Sequence, residues 1–146
     1  MSRLDQLREA LRGRAKINEP LAPHTTFRIG GPADLFVRVE RIADFVQTIR
    51  LARQLAVPIF VLGNGSNILV RDGGVRGLVI ENHCDQSSFA ANSEARAILR
   101  AESGASLPGL ANRFAREGWS GLEWGIGVPG TIGGAVASNA GAHNGC

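Results

Sequence analysis

The chain has 146 residues, of which 44% are hydrophobic, and a net charge of +3 at neutral pH. This length and composition support one medium-sized buried core and exclude a disordered chain. The basic residues are scattered along the chain and aromatic content is only 5%, so the sequence lacks the basic stripe of a nucleic-acid-binding protein and we expect no nucleic-acid partner.

Other classes are disfavoured on similar grounds. The longest nearly unbroken apolar stretch, residues 55–62, is shorter than the roughly 20 residues of a membrane helix, so we expect no membrane insertion. The N-terminus mixes acids and bases and does not resemble a secretory signal, which makes the cytoplasm the expected location. Cys84 and Cys146 are too few for a disulfide framework and, although His83 adjoins Cys84, they show no metal-ligand spacing, so we expect no metal site.

The first half of the chain alternates between helical and strand-like patterns. Leu4, Leu7 and Leu11 recur at helical spacing, which predicts an amphipathic helix over about the first fourteen residues. A proline-bearing connection (18–34), a half-buried strand (35–39) and a second helix (41–55) are predicted to follow. Next come a buried strand at 57–63, a strand at "NILV" (67–70), a turn at 71–74 and a strand at 77–82.

A second module is predicted after the polar stretch 84–95. Residues 96–104 alternate like a strand. Ser106 is predicted to cap a helix with Pro108 in its first turn, and Gly118 to end it. The buried side of that helix is predicted to carry Leu107, Leu110, Ala111 and Phe114. Residues 121–145 contain eight glycines interleaved with apolar residues, which predicts an ordered loop region with a short helix near 131–137.

The stretch "VLGNGSNILV" places turn-forming residues between two apolar runs. Gly63 and Gly65 permit positive φ, and Asn64 and Asn67 tolerate the left-handed region, so successive N–H groups can turn inward and form a concave site suited to a phosphate or pyrophosphate. The Ser66 hydroxyl and the two Asn amides add donors at the rim of that site. The alternative interpretation is a simple hairpin turn, because Asn-Gly is a common hairpin signal. On local sequence alone both interpretations stay open.

A second glycine cluster, "GIGVPGTIGGAVASNAGA", strengthens the ligand interpretation. Pro129 restrains the backbone while Gly127, Gly130, Gly133 and Gly134 leave room for a flat ligand to approach the main chain. Tight packing of this segment against the sheet is an alternative that is compatible with binding. Neither cluster has the Gly-Lys-Ser/Thr of a phosphate-binding loop or the Rossmann glycine pattern.

Three motifs carry a resemblance to a known family. "TTFRIGGPADLFV", "VLGNGSNILVRDGGVRGLVI" and "SGLEWGIGVPGTIGGAVASNAGAHNG" resemble, in order and spacing, the N-terminal half of the UDP-N-acetylenolpyruvoylglucosamine reductase (MurB) family. The resemblance implies an α+β fold, the FAD-binding domain of the vanillyl-alcohol-oxidase/PCMH type, with two α+β subdomains and the flavin between them. It implies an N-terminal helix and connection (1–20), a first FAD-binding subdomain (21–85), an incomplete second one (86–146), and the absence of the C-terminal substrate domain.

The resemblance also implies the cofactor-binding residues. By this comparison Gly63, Asn64, Gly65, Ser66 and Asn67 hold the pyrophosphate of FAD. The residues implied to line the flavin are Gly125, Gly127, Val128, Pro129, Gly130, Thr131, Gly133, Gly134, Ser138, Asn139, Ala140 and Gly141.

The activity implied is the NADPH-driven reduction of the enolpyruvyl group of a UDP-sugar to UDP-N-acetylmuramate. This step belongs to peptidoglycan synthesis, and hence to cell-wall biogenesis, cell shape and division. The family's catalytic arginine, serine and glutamate are implied to lie beyond Cys146, and the absence of tyrosine excludes the Tyr-Arg-x-Ser motif that carries the arginine. We therefore assign no catalytic residue. Glu123 and His143 are interpreted as a surface carboxylate and a flavin-side or solvent-facing histidine.

Three hypotheses for the chain follow. The first is that the chain is part of such a reductase and is inactive by itself. The second is that it is a non-catalytic flavin- or nucleotide-binding module. The third, another flavin oxidoreductase of this fold, is disfavoured by the order and wording of all three motifs. If the second subdomain lacks its closing strands, an open sheet edge promotes aggregation and flavin affinity is weak.

Overall fold

The computed structural model describes residues 1–93, 96–142 and 145. The chain divides into two compact units, Met1–His83 and Cys84–Cys146. Each unit combines helices with its own sheet, so the α+β class predicted from the sequence is confirmed.

The first unit is built around a four-stranded sheet in the order β1-β2-β4-β3. Strand β1 pairs antiparallel with β2, whereas β2 and β3 both run parallel to β4. The elements are α1 (Arg3–Ala10), β1 (Lys16–Pro20), a 3₁₀ helix (Ala22–His24), β2 (Pro32–Val39), α2 (Ile42–Gln54), β3 (Ile59–Leu62) and β4 (Val75–Asn82).

The two central strands account for much of the buried core of this unit. In β4, Leu78, Val79 and Ile80 are fully buried, and Phe36 in β2 lies opposite Val79. Strands covered on both faces read as nearly continuous apolar runs, which explains why the alternation expected for a half-buried strand is weak here. The helices follow local signals, since Ser2 and Asp5 form a capping box at the start of α1.

Two predictions for this region are wrong. "NILV" is not a strand: residues 68–70 are unpaired, and Ile68 and Val70 pack against the buried cluster that contains Leu62 and Val79. Their apolar character therefore reflects core packing rather than strand pairing. Strand β3 is also less buried than predicted, with Val61 47% exposed, because β3 is an edge strand. Strand β1 was not predicted, because its residues are mostly polar and its last three lie in the predicted connection 18–34.

The second unit contains a two-stranded antiparallel sheet and two α-helices. Its elements are β5 (Ser87–Ser93), β6 (Arg96–Ala101), α3 (Leu107–Arg116), a 3₁₀ helix (Glu123–Gly127) and α4 (Ile132–Ser138). Strand β5 thus lies within the polar stretch 84–95, which was predicted as a break between modules. Phe89 of β5 contacts Phe114 of α3, with ring centroids 5.0 Å apart.

Helix α3 has the N-cap, the end and the buried side that were predicted from the sequence. The Ser106 hydroxyl oxygen accepts a hydrogen bond from the Gly109 N–H at 3.2 Å, as an N-cap should. Gly118 follows the helix with φ of +80°, a conformation that suits glycine after a helix end. All four residues predicted for the buried side are buried.

Candidate functional site

A cavity of about 420 Å³ lies in the first unit, at the carboxyl ends of parallel strands. Gly63 directly follows β3, and Glu81 lies near the end of its parallel neighbour β4, so both reach the same edge of the sheet. Ligands of open sheets with parallel strands bind at this kind of edge. The lining residues are Pro23, His24, Thr25, Thr26, Arg28, Gly63, Asn64, Glu81 and His83.

The glycine loop, residues 63–67, begins the connection between β3 and β4. Because these two strands are parallel, residues 63–74 form a crossover and not a hairpin. The hairpin interpretation of "GNGSN" is therefore wrong, and the loop lies where a crossover leaves the carboxyl edge of the sheet.

Gly65 is a position in the glycine loop where a side chain does not fit. Its φ is +63°, and a Cβ there would lie 2.2 Å from the carbonyl oxygen of His24 and 2.9 Å from the Cα of Thr25. The Gly65 carbonyl accepts a hydrogen bond from the Thr26 N–H at 3.0 Å. The loop therefore packs directly on the backbone of residues 24–26.

Several N–H groups of the glycine loop are unpaired. Within the described part of the chain, the backbone N–H groups of Gly63, Asn64, Gly65 and Asn67 donate no hydrogen bond. Main-chain N–H groups are strong donors that normally find a partner when buried, and Gly65 is buried. The loop thus offers free donors next to the cavity, as a site for an oxyanion requires.

A charged cluster centred on Glu81 lies at the cavity. The Glu81 Oε1 atom is 2.8 Å from His24 Nδ1, and Oε2 is 2.6 Å from Arg38 Nε and 3.3 Å from His83 Nε2. The other ring nitrogen of His24 lies 3.3 Å from Glu19 Oε1, and its ring lies over Phe36 with centroids 4.4 Å apart. His24 is therefore held on three sides.

The pKa of Glu81 is lowered although the carboxylate is only 7% exposed. Burial by itself raises this pKa, but hydrogen bonds from Arg38 and His24, together with their charges, outweigh burial. The pKa of Glu19 is also lowered, chiefly by its hydrogen bond from Lys16. The carboxylate at the cavity is therefore ionised at neutral pH and is already engaged by the Arg38 guanidinium and the His24 ring.

Sequence reasoning missed most of the residues around this cavity. His24 and Glu81 are 57 positions apart, so no local pattern joins them. The available signal was chemical: Glu81 is the one acid in the apolar strand "GLVIEN", and such an acid needs a partner. Thr25 and Arg28 lie in the family motif "TTFRIGG", for which no role was assigned.

The second glycine segment, residues 125–141, belongs to the second unit. Gly125 packs against Leu107, and a Cβ on Gly125 would lie 2.9 Å from the Leu107 Cδ1 atom. A Cβ on Gly133 would lie 2.9 Å from the Ser103 carbonyl oxygen, which accepts a hydrogen bond from the Gly133 N–H at 2.8 Å. These glycines are therefore needed for packing within their own unit.

The other predicted residues of this segment shape α4 and its flanks. Gly130 has a φ of +128°, and its carbonyl accepts from the Leu107 N–H at 3.1 Å. The Thr131 hydroxyl caps α4 by accepting from the Gly134 N–H at 3.2 Å. At the other end the Ser138 hydroxyl donates to the Gly134 carbonyl, and Asn139 adopts a left-handed conformation.

The remaining segment residues are also located. Gly127 ends the 3₁₀ helix and Val128 and Pro129 follow it, while Ala140 donates its N–H to the Ala135 carbonyl and Gly141 comes next. Glu123 is exposed, and its pKa is lowered by backbone hydrogen bonds, first from its own N–H and then from that of Gly121. His143 and Cys146 lie outside the described residues.

The described ranges 1–93, 96–142 and 145 hold no group of three or more His, Cys, Asp or Glu side chains able to bind a metal ion. In the same part of the chain, no helix has the length and apolar content needed to cross a membrane.

The fold and the sequence together define the class of protein. Residues 33–146 match the FAD binding domain family, and the chain belongs to this family. Alkyldihydroxyacetonephosphate synthase, at 22% identity, aligns over 95% of this chain and 30% of its own with a TM-score of 0.66 and shares the fold. The fold is the FAD-binding domain of the vanillyl-alcohol-oxidase/PCMH type, as predicted.

Relatives of higher sequence identity show which kind of FAD-binding protein this chain resembles. UDP-N-acetylenolpyruvoylglucosamine reductase of Desulforamulus reducens is 43% identical over 97% of this chain and 46% of its own length. The crystal structure of UDP-N-acetylenolpyruvylglucosamine reductase (MurB) from Thermus caldophilus is 35% identical, with a TM-score of 0.63 over 90% of this chain and 43% of that chain. The chain is thus homologous to MurB reductases and spans less than half the length of these two.

Proposed function

We propose that this chain binds FAD as the N-terminal part of a UDP-N-acetylenolpyruvoylglucosamine reductase. The observation that carries the proposal is the glycine loop, whose free N–H groups adjoin a cavity at the carboxyl ends of β3 and β4. The loop carries the sequence that resembles the pyrophosphate-binding motif of the reductases. The proposed reaction is the NADPH-driven reduction of the enolpyruvyl group of the UDP-sugar, in the cytoplasm and in peptidoglycan synthesis.

The residues fit the cofactor at its pyrophosphate. Gly63, Asn64, Gly65 and Asn67 present N–H donors, and the close approach of Gly65 to His24 keeps the loop backbone in place. Ser66 and the side chains of Asn64 and Asn67 add polar groups at the rim. When bound, the flavin supplies the hydride chemistry, and the work of these residues is to bind and orient it.

The second glycine segment is proposed to line the flavin ring. Val136 (78% exposed) and Ile126 (45% exposed) leave apolar surface on this segment, which suits a flat aromatic group. We keep 21–85 and 86–146 as the two proposed FAD-binding subdomains.

Catalysis is proposed to depend on residues that this sequence does not contain. It has no tyrosine, and hence no Tyr-Arg-x-Ser motif to place an arginine at the substrate. We expect residues 1–146 to bind flavin without reducing the UDP-sugar. The second candidate is a flavin- or nucleotide-binding module with no catalytic role.

Two measurements test the proposal. Titration of the purified 146-residue chain with FAD, followed by quenching of flavin fluorescence, should give saturable binding that is tighter than binding of riboflavin, which lacks the pyrophosphate. A chimera in which this chain replaces the matching part of a MurB reductase should then support growth of a bacterium that lacks its own enzyme.

The two candidates predict different outcomes. Binding of FAD together with an active chimera supports the reductase. Binding of FAD by a folded but inactive chimera favours the module. A chain that binds FAD no tighter than riboflavin contradicts the assignment of the glycine loop to the pyrophosphate.

A further inference from the structure

The charges at the cavity are unevenly balanced. The Glu81 carboxylate lies 2.6 Å from Arg38 Nε and 2.8 Å from His24 Nδ1, so both of its oxygens already have partners within the protein. Arg28 lines the same cavity beside Gly63 and Asn64. Among the described residues, the Arg28 guanidinium forms no ion pair and no side-chain hydrogen bond. Arg28 therefore places at the cavity a positive charge that is available to bind an anion.

The backbone of Arg28 is held in an uncommon conformation. Its φ is +57°, in the left-handed region that is unfavourable for residues other than glycine. The Arg28 N–H donates to the Thr25 carbonyl at 3.1 Å, and the Thr25 hydroxyl donates to the Ile29 carbonyl at 3.0 Å. Thr25 is buried, so the turn is fixed by the fold and keeps an arginine where glycine would be less strained.

The turn and the glycine loop are in direct contact. The Thr26 N–H donates to the Gly65 carbonyl, and Gly65 lies against the His24 carbonyl and the Thr25 Cα. Arg28 is therefore linked to the glycine loop through Thr25, which its N–H contacts, and Thr26, which bonds to Gly65. Gly63 and Asn64 line the same cavity as Arg28, and their unpaired N–H groups together with the guanidinium form a donor set that matches phosphate oxygens.

We propose that Arg28 is a binding residue for the phosphate groups of a dinucleotide, opposite the donors of the glycine loop. The inference rests on the proposed function, because it takes the anion to be the pyrophosphate of FAD. Arg28 supplies charge and a planar pair of donors, whereas the glycine loop supplies main-chain donors. The left-handed backbone is kept because it places that charge at the cavity.

Arg12 provides a matched control. It is also an exposed arginine with a left-handed backbone, φ +51°, and its N–H also donates to the carbonyl three residues earlier, that of Glu9. Arg12 is not among the residues that line the cavity. Arg12→Gly and Arg28→Gly therefore remove the same side chain from the same backbone conformation, and only Arg28→Gly removes it from the cavity.

The test compares FAD and riboflavin binding to the 146-residue chain and to Arg28→Gly, Arg28→Lys and Arg12→Gly, at low and at moderate salt. We expect Arg28→Gly to weaken FAD binding about tenfold at low salt, as one partly exposed charged contact would. Riboflavin binding should change less than about twofold, Arg28→Lys should keep part of the FAD affinity, and Arg12→Gly should change neither. Arg28→Gly should unfold at no lower a urea concentration than the parent chain, because glycine relieves the strained φ.

The possible results separate the proposals. Unchanged FAD affinity in Arg28→Gly, or an equal loss for FAD and riboflavin, overturns the role of Arg28 and leaves the proposed function standing. If the parent chain prefers FAD no more than riboflavin, the pyrophosphate site fails and the role of Arg28 fails with it. A tenfold loss confined to FAD and reduced by salt supports both.

Discussion

The two glycine segments have similar compositions, yet the structure uses their backbones differently. In the glycine loop 63–67, four N–H groups have no partner among the described residues. In the second segment the N–H groups of Gly125, Gly133 and Gly134 all donate within their own unit. Glycine content therefore does not identify a binding loop. Main-chain N–H groups without a partner are the feature that indicates an anion-binding loop.

The reason for glycine also differs between the two segments. Gly65 combines a positive φ with close packing on the backbone of residues 24–26. Gly133 has ordinary helical geometry in α4, and only the nearness of Ser103 excludes a side chain. The first position is constrained by conformation and contact together, and the second by contact alone. Substitutions can test this contrast.

The largest effect is expected from Gly65→Ala. The added Cβ meets a carbonyl oxygen that belongs to the backbone and cannot turn aside, and φ is unfavourable for alanine. We expect a loss of about 3 kcal/mol in the free energy of unfolding and no measurable FAD binding. Urea unfolding and FAD titration measure the two effects.

Gly73→Ala is the control in the same crossover, because a Cβ there meets nothing within 4 Å. It should change stability by less than about 0.5 kcal/mol. A similar loss in both variants would contradict the special role of Gly65 and reduce the contrast between the two segments.

The next largest effect is expected from Glu81→Gln, which weakens the charged cluster at the cavity. Loss of charge-assisted hydrogen bonds to Arg38 and His24 should cost about 2 kcal/mol at pH 7. The pKa of Glu81 is lowered in the folded state, so in acid the unfolded state binds the proton more readily and stability rises with pH.

The stabilisation by Glu81 is therefore complete above the ordinary pKa of a glutamate and is lost as pH falls through the lowered pKa. Urea unfolding between neutral and acid pH should show the two proteins converging in acid. Glu117→Gln, which removes an exposed pair with Arg113, should lower stability by less than about 0.5 kcal/mol at every pH. A constant gap between Glu81→Gln and the parent chain would contradict the ionic role of Glu81.

A smaller effect is expected from Gly133→Ala in the second segment. The Cβ would crowd the Ser103 carbonyl, and alanine's better helix propensity offsets part of that cost, leaving a loss of about 1 kcal/mol. Gly134→Ala, one residue later, meets only the Thr131 hydroxyl at 3.3 Å and should be neutral or stabilising. Equal losses in circular-dichroism melts of the two variants would remove the packing explanation for Gly133.

The smallest effect is expected from Thr131→Ala, which removes the cap of α4. The Gly134 N–H would lose its hydroxyl acceptor, at a cost of about 1 kcal/mol or less. Thr131→Ser keeps the hydroxyl and should recover most of the stability in the same melts. Failure of serine to recover it would assign the effect to the buried methyl group.

The sequence alone specified the elements whose signals are local. Ser106, Pro108 and the spacing of Leu107 and Phe114 determined α3, its cap and its buried side, because helix contacts join residues three and four apart. The same holds for α1, α2 and α4. The FAD-binding fold was also recognisable, because three motifs in the order and spacing of a known family are specific when taken together.

Only the tertiary structure decided which strands pair and what surrounds the glycine loop. The parallel pairing of β3 with β4 turned "GNGSN" from a possible hairpin into a crossover, and the polar strands β1 and β5 form because a partner strand satisfies their backbone. His24 meets Glu81 across 57 positions for the same reason. Strand pairing and buried ion pairs depend on partners that are distant in the chain, so the energy that selects them has no counterpart in any short stretch of sequence.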